Sequence, residues 1–271
     1  MNPKSFLSLK KMENISDLVK SNIKSYISLF FLLVISLLST ITKPSTQYVN
    51  INDPRLQYPH IDPHLDKITD STGFILAFAL PLLAILLGEL VKVNFKVKKL
   101  LSKQKLEHFH GLILGFFSTS IITLAIVSVL KNWLSQPRPD FISRCQVDYK
   151  VIQNFKNIYK ISDICQGDVL KIEEGLRSTP SGHSASSFAG LNYLSVYLFS
   201  KFQNISVFSL ILGYSPLVLA TYIATTRLSD FKHSLFDISF GCTIGVVISL
   251  YIWKLFNSFD NEEEDEQQLP L

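Results

Sequence analysis

Two histidines, an aspartate and three well-separated cations are the residues of this chain best suited to chemistry. They fall in three short stretches: "KNWLSQPRPDF" from Lys131, "STPSGHSA" from Ser178 and "TTRLSDFKHSLFDISFG" from Thr225. In the third, His233 and Asp237 stand at i and i+4, which places them on one face of a helix. A carboxylate bonded to one imidazole nitrogen fixes the tautomer and leaves the other nitrogen as a base or a nucleophile. Taken alone, the pair also reads as a helix-opening aspartate beside an unrelated histidine.

In the second stretch, Thr179-Pro180-Ser181-Gly182-His183 leads into an apolar segment. The first-turn amides of a helix starting there lack intrahelical partners, and such an end attracts anions. Gly182 lets a phosphate approach the backbone, Ser181 adds a hydroxyl, and His183 could protonate a leaving group. The plainer reading is a serine cap with a chance histidine. In the first stretch, Lys131 and Arg138 are about two helical turns apart, so they project to one side if the helix continues. Pro137 and Pro139 should end or bend it there. A lysine at a membrane rim often only snorkels. Arginine usage shifts that balance, because three of the chain's five arginines, Arg138, Arg177 and Arg227, fall in or beside these stretches. The guanidinium fork suits bidentate phosphate binding. Phosphoryl transfer needs positioning and charge stabilisation above all, and this inventory matches that need.

The elements that must position these groups are membrane spans. The chain has 271 residues, 47% hydrophobic and 18% charged, against about 25% charged in a soluble domain. A bilayer core takes about 17–25 apolar residues per helix, and six stretches qualify or nearly do: Tyr26 to Thr42, Gly73 to Val91, Gly111 to Leu130, Ala185 to Phe199, Val207 to Ala224 and Ile238 to Trp253. The fourth is short and serine-rich. Lysines crowd the N-terminal tail and the loop after the second span, so both should face the cytosol. The expected fold is therefore all-α, a six-transmembrane-helix bundle with the site at the extracytoplasmic ends of helices 3, 4 and 6. Residues 1–25 form a cytosolic tail, 26–256 the six-span domain and 257–271 an acidic cytosolic tail. The first span lies too far from the N-terminus and lacks the small-residue pattern of a cleavable signal peptide. A formal charge of +4 lies largely in cytosolic flanks and gives no sign of nucleic-acid binding. Nothing in the sequence speaks to oligomeric state or to a particular organelle.

Together the three stretches resemble the signature of the type-2 phosphatidate phosphatases, the lipid phosphate phosphatases: K-x6-R-P, then P-S-G-H, then S-R-x5-H-x3-D. Here they run from Lys131 to Arg138-Pro139, through Pro180-Ser181-Gly182-His183, and from Thr226-Arg227 through His233 to Asp237. Order and spacing agree, with Thr226 in place of the usual serine. The resemblance implies that His233 attacks phosphorus to give a phosphohistidine, that Asp237 orients it, and that His183 protonates the departing alkoxide. It implies that Lys131, Arg138, Ser181, Gly182 and Arg227 bind phosphate, with no metal or other cofactor. The substrates implied are lipid phosphates such as phosphatidate, lysophosphatidate or diacylglycerol pyrophosphate, hydrolysed within a membrane. A polyprenyl-diphosphate phosphatase and a non-catalytic lipid-phosphate-binding relative are the alternatives.

Weaker signals remain. Cys145 and Cys165 share the third loop, on the side of the membrane that permits a disulfide, while Cys242 reads as a small buried residue of the last span. "HIDPHLD" puts His60, Asp62, His64 and Asp66 at alternate positions, a spacing that suits an interfacial polar loop better than a metal site, since Pro63 interrupts the alternation. His108 and His110 fall on the cytosolic side, away from the site. The sequons at Asn14 and Asn204 also fall there, where neither should carry glycan.

Overall fold

The computed structural model describes residues 15–45, 48–95, 103–152, 157–202 and 204–257. The lysine-rich stretch after residue 95, the acidic tail and the Asn14 sequon lie outside them. Helices α1 (Ile15–Ser21) and α2 (Ile23–Ile41) come first, followed by strand β1 (Tyr48–Asn50). Helix α3 (Asp70–Phe74), a π-helical stretch Ile75–Ala79 and α4 (Leu80–Phe95) run on as one rod. The long α5 (Lys103–Leu134) precedes the short α6 (Phe141–Cys145), strand β2 (Ile158–Lys160), α7 (Ile161–Ile164) and α8 (Val169–Gly175). Three long helices close the chain: α9 (Gly182–Lys201), α10 (Val207–Ser229) and α11 (Leu235–Asn257).

Among the described residues, five helices are long and apolar enough to cross a membrane: Ile23–Ile41, Asp70–Val91, Leu106–Leu134, Val207–Ser229 and Leu235–Phe256. The fourth expected crossing, Ala185 to Phe199, lies inside α9, which is not among the five. The reason is physical. Helix α9 packs against α4, α5, α10 and α11, so its polar residues meet protein rather than lipid. Asn192 Nδ2 donates to Ser249 Oγ at 2.7 Å and Ser195 Oγ donates to the Gly213 carbonyl at 2.6 Å. Satisfied in this way, such residues are tolerated at membrane depth and tie helices together.

With hydrocarbon outside, packing rather than hydrophobic transfer must hold the bundle, and small residues allow it. A Cβ on Gly241 would lie 2.6 Å from the Ser181 carbonyl oxygen, and one on Gly245 would lie 2.4 Å from that of Ala185. Helices α9 and α11 can close only because both positions are glycine. At its far end, α9 is pinned to α4 by Glu89, which accepts from the Tyr197 hydroxyl at 2.9 Å and pairs with Lys201 at 2.8 Å.

The loops of the first and third connections are not featureless. Strands β1 and β2 pair antiparallel, with Val49 opposite Tyr159, which adds a small sheet to a fold expected to be all-α. Val49, Ile51, Leu56, Phe141, Cys145, Tyr159, Ile161, Ile164, Ile172 and Leu176 form a core of their own. A disulfide joins Cys145 to Cys165 within it. Asp140 binds the two connections together, accepting from Arg144 Nε at 2.8 Å and contacting His60 Nδ1 at 2.7 Å. We refer to this unit as the cap.

Candidate active site

The three stretches singled out by residue type come together where α5 ends, α9 begins and α10 turns into α11. Helix α5 stops at Leu134 and Ser135 takes a left-handed conformation, φ 44°. Lys131 and Arg138 therefore do not share a helical face across two turns. Arg138 reaches the site along an extended segment, its backbone N–H held by the Gly175 carbonyl at 2.8 Å. Its guanidinium pairs with Glu174, and its Nε is buried without a hydrogen-bond partner among the described residues. Lys131 Nζ donates to the Arg177 carbonyl at 2.6 Å. Burial would raise the Glu174 carboxyl, but the charges of Arg138 and Lys131 prevail and hold it below the ordinary carboxylate range.

Ser181 is the N-cap of α9 and is wholly buried. Its oxygen accepts from Ser184 Oγ at 3.0 Å and Ser184 N at 3.4 Å, which leaves its own O–H free to donate. Gly182 faces the Lys131 stem, 3.6 Å from where a Cβ would sit. The His183 ring lies against Gly73 so tightly that a Cβ there would come within 2.7 Å of it. Its Nε2 is buried without a hydrogen-bond partner among the described residues, and the Asp70 carboxylate stands 3.6 Å away.

The turn between α10 and α11 brings Arg227 and His233 together. Phe231 adopts φ 55°, a conformation unfavourable for an aromatic residue by about 1–3 kcal/mol. Its ring is stacked on Tyr58 at 4.8 Å. The reversal lets the N–H groups of Lys232 and His233 both reach the Arg227 carbonyl, at 3.1 and 3.3 Å. Arg227, 2% exposed, pairs with Asp66 at 3.1 Å and Asp230 at 2.9 Å.

His233 precedes α11 rather than lying on it, so the expected shared helical face does not form. Its Nδ1 is 4.0 Å from Asp237 Oδ2, beyond hydrogen-bond reach. The carboxylate is instead held by hydroxyls and by the helix start: Ser234 N and Oγ donate to Oδ2 at 2.7 and 2.8 Å, Ser178 Oγ donates to Oδ2 at 2.8 Å, and Thr179 donates to Oδ1. Ser234 in turn accepts from Asp237 N at 3.3 Å, a reciprocal cap of the α11 N-terminus. Burial first, then the charges of Arg138, Lys131, His183 and Arg227, push the His233 imidazole well below the ordinary histidine range. The ring is therefore neutral near pH 7, with Nδ1 turned toward the Asp237 side. A neutral imidazole ringed by cations can attack an electrophilic centre that carries negative oxygens, and His183 Nε2, without a hydrogen-bond partner among the described residues, stands beside it.

Several neighbours were not foreseen. Ser178 and Thr179 sit beside the P-S-G-H run and contact Asp237; adjacency was their only signal. Asp66 has none, because it arrives from the first connection, more than a hundred residues away. The "HIDPHLD" residues disperse: His60 goes to Asp140, Asp62 caps a turn by accepting from His64 N, and Asp66 goes to Arg227 and Lys232. Arg177 points away from the other cations. It donates to Asn132 Oδ1 at 2.9 Å and to the carbonyls of Thr40 and Thr42, at the C-terminus of α2, where a cation complements the helix dipole.

Comparison with known proteins shows what the chain as a whole is similar to. The family model described as the PAP2 superfamily matches residues 112–260. Diacylglycerol pyrophosphate phosphatase 1 of Saccharomyces cerevisiae is 29% identical over 234 residues, 83% of this chain and 77% of that protein. Lipid phosphate phosphatase 2 of Arabidopsis thaliana is 30% identical over 239 residues, 85% and 76% of the two chains. Phospholipid phosphatase 1 of Rattus norvegicus is 23% identical over 233 residues, 83% and 81%. No solved structure matches the chain significantly.

Proposed function

The chain belongs to the PAP2 superfamily, and on that premise we propose that it is a multi-pass membrane phosphatase that hydrolyses lipid phosphates, with phosphatidate, lysophosphatidate and diacylglycerol pyrophosphate as the substrate class. The observation that best supports this reading is the convergence on one buried histidine: His233 feels the charges of Arg138, Lys131, His183 and Arg227, although these residues come from three separate stretches of the sequence. The relatives named above act on lipid phosphates by their names, and their similarity runs over more than four-fifths of this chain.

In the proposed reaction, the His233 Nε2 lone pair attacks phosphorus, because Nδ1 is turned toward Ser178 and Asp237. The P–N bond forms as the P–O bond to the lipid alkoxide breaks, and the alkoxide takes a proton from His183. Water then attacks the phosphohistidine as His183 accepts one of its protons. The P–N bond breaks, and inorganic phosphate leaves with His233 neutral again. Arg138, Arg227, Lys131, the Ser181 hydroxyl and the Gly182 amide hold the phosphoryl oxygens throughout. The permanent cations meet the developing charge, so no metal is required.

Six crossings are part of the proposal, with α9 as the internal one, and so is a site opening at the extracytoplasmic leaflet. At headgroup depth, a lipid phosphate can enter sideways while its acyl chains stay in the bilayer. His233→Ala should abolish phosphate release from phosphatidate in detergent micelles containing EDTA, with unchanged membrane insertion. Full activity in that variant would refute the assignment.

A further inference from the structure

Asp237 and His233 are separated by 4.0 Å, and one side chain fills the interval. Ser178 Oγ lies 2.8 Å from Asp237 Oδ2 and 3.4 Å from His233 Nδ1. It is 1% exposed, so water does not compete for it. Building on the phosphatase reading above, we propose that Ser178 is a positioning residue, and that the aspartate acts on the nucleophilic histidine through this hydroxyl rather than by direct contact.

The hydrogen count sets the direction. A hydroxyl has one proton to donate and lone pairs to accept. The Asp237 carboxylate can only accept, so the Ser178 proton goes to Oδ2. Its lone pairs then face Nδ1, and they are satisfied only if Nδ1 carries the proton. That tautomer leaves the Nε2 lone pair free for phosphorus. With the hydroxyl gone, Nδ1 would face a carboxylate too distant to bond, and the ring could rotate or change tautomer.

The surroundings hold Ser178 in register. Its backbone N–H donates to the Gln136 carbonyl at 3.0 Å, so the segment carrying Arg138 and the segment carrying Ser178 are fastened side by side. Thr179 binds the other carboxylate oxygen, and Ser234 shares Oδ2. Asp237 therefore keeps three other donor groups without Ser178, and the substitution should leave it in place. What is lost is the link to His233.

The two ends of this relay give different kinetics. Among the described residues Ser178 hydrogen-bonds to His233, Asp237 and Gln136 and to none of the groups proposed to hold phosphate, so Ser178→Ala should lower kcat while KM for phosphatidate stays within about threefold. Removing a hydrogen bond that orients a reacting histidine lowers activity on the order of 10- to 100-fold. Ser178→Thr keeps the oxygen and should recover most of the loss. If Ser178→Ala fails to reach the membrane fraction, Ser178→Cys retains the volume with a weaker hydrogen-bonding group and should show the same split.

The measurement is steady-state phosphate release from phosphatidate micelles for wild type, the Ser178 variants and His233→Ala. Low kcat with near-normal KM in Ser178→Ala, with rescue by threonine, supports the relay. Wild-type kcat in Ser178→Ala overturns it while leaving the phosphatase reading intact, provided His233→Ala is inactive. Equal losses in the alanine and threonine variants also overturn it, since the oxygen would then not matter. An inactive wild type, or an active His233→Ala, would instead indict the phosphatase reading itself.

Discussion

At the residue scale, the proposed chemistry rests on keeping one imidazole neutral among cations. Burial and four neighbouring charged or chargeable groups depress His233, and the sign of that effect makes a testable statement. If His233 is the nucleophile, as proposed, a depressed value means that its reactive form survives as pH falls below the usual histidine range. The acid limb of kcat/KM, corrected for ionisation of the substrate phosphate, should therefore lie below pH 6.5. Removing a cation relieves the imidazolium, so Arg138→Gln should shift that limb upward. The same variant loses a guanidinium proposed to hold the phosphate, and kcat/KM should fall on the order of 10²- to 10³-fold. A limb at or above pH 6.5 in the wild type, or one that moves down in the variant, would contradict this account. The counter-charges belong to the same design. Glu174 on Arg138, and Asp66 and Asp230 on Arg227, keep each buried cation paired, which makes permanent charge tolerable in an interior.

At the scale of elements, the site depends on how closely α9 and α11 approach. Ser181 N donates to the Asp237 carbonyl at 3.0 Å, so the start of α9, proposed to bind phosphate, and the His233 turn are linked across that contact. Gly245 lies one turn deeper, against the Ala185 carbonyl. A side chain there has nowhere to go, and Gly245→Leu must wedge the helices apart. Overpacking of this kind destabilises by about 1–3 kcal/mol. The expected outcome is a lower Tm in detergent together with a larger loss in kcat than in expression. Because Gly245 touches none of the reacting groups, unchanged kcat would show that the α9–α11 spacing does not govern the chemistry. Gly73 works by a similar exclusion on the opposite side, where the absence of a Cβ makes room for the His183 ring.

At the scale of the molecule, the proposal places the site and the cap on the extracytoplasmic side and the α9–α10 connection on the other. The cap carries a disulfide, which accords with an oxidising compartment. The Asn204-Ile205-Ser206 sequon is exposed at Asn204 but lies in the α9–α10 connection. Expressed in cells that glycosylate secreted proteins, the native chain should carry no glycan at Asn204. A sequon engineered at the exposed Tyr149–Lys150 turn of the cap should be modified. Glycan at Asn204, or none on the cap, would invert the orientation. An engineered site modified in only a fraction of molecules would count against a single topology with α9 crossing.

Residue types and spacing alone picked out His233, Asp237, His183, Lys131, Arg138, Ser181, Gly182 and Arg227, because phosphoryl transfer demands a rare combination that leaves a dense local pattern. Hydropathy likewise marked five of the helices, since lipid contact requires apolar runs. Contacts between distant segments left no such trace. The serine-rich α9 reads as a weak span because its surroundings are protein, and only packing reveals those surroundings. The cap core joins residues 49 to 56 with residues 141 to 176, and Asp66 meets Arg227 across a gap that no spacing rule encodes. Tertiary structure also decided the detail closest to the chemistry. The i, i+4 spacing suggested a direct histidine–aspartate bond, but His233 stands outside the helix that carries Asp237. The hydroxyl between them comes from the segment that leads from α8 into α9 and lies beside Gln136.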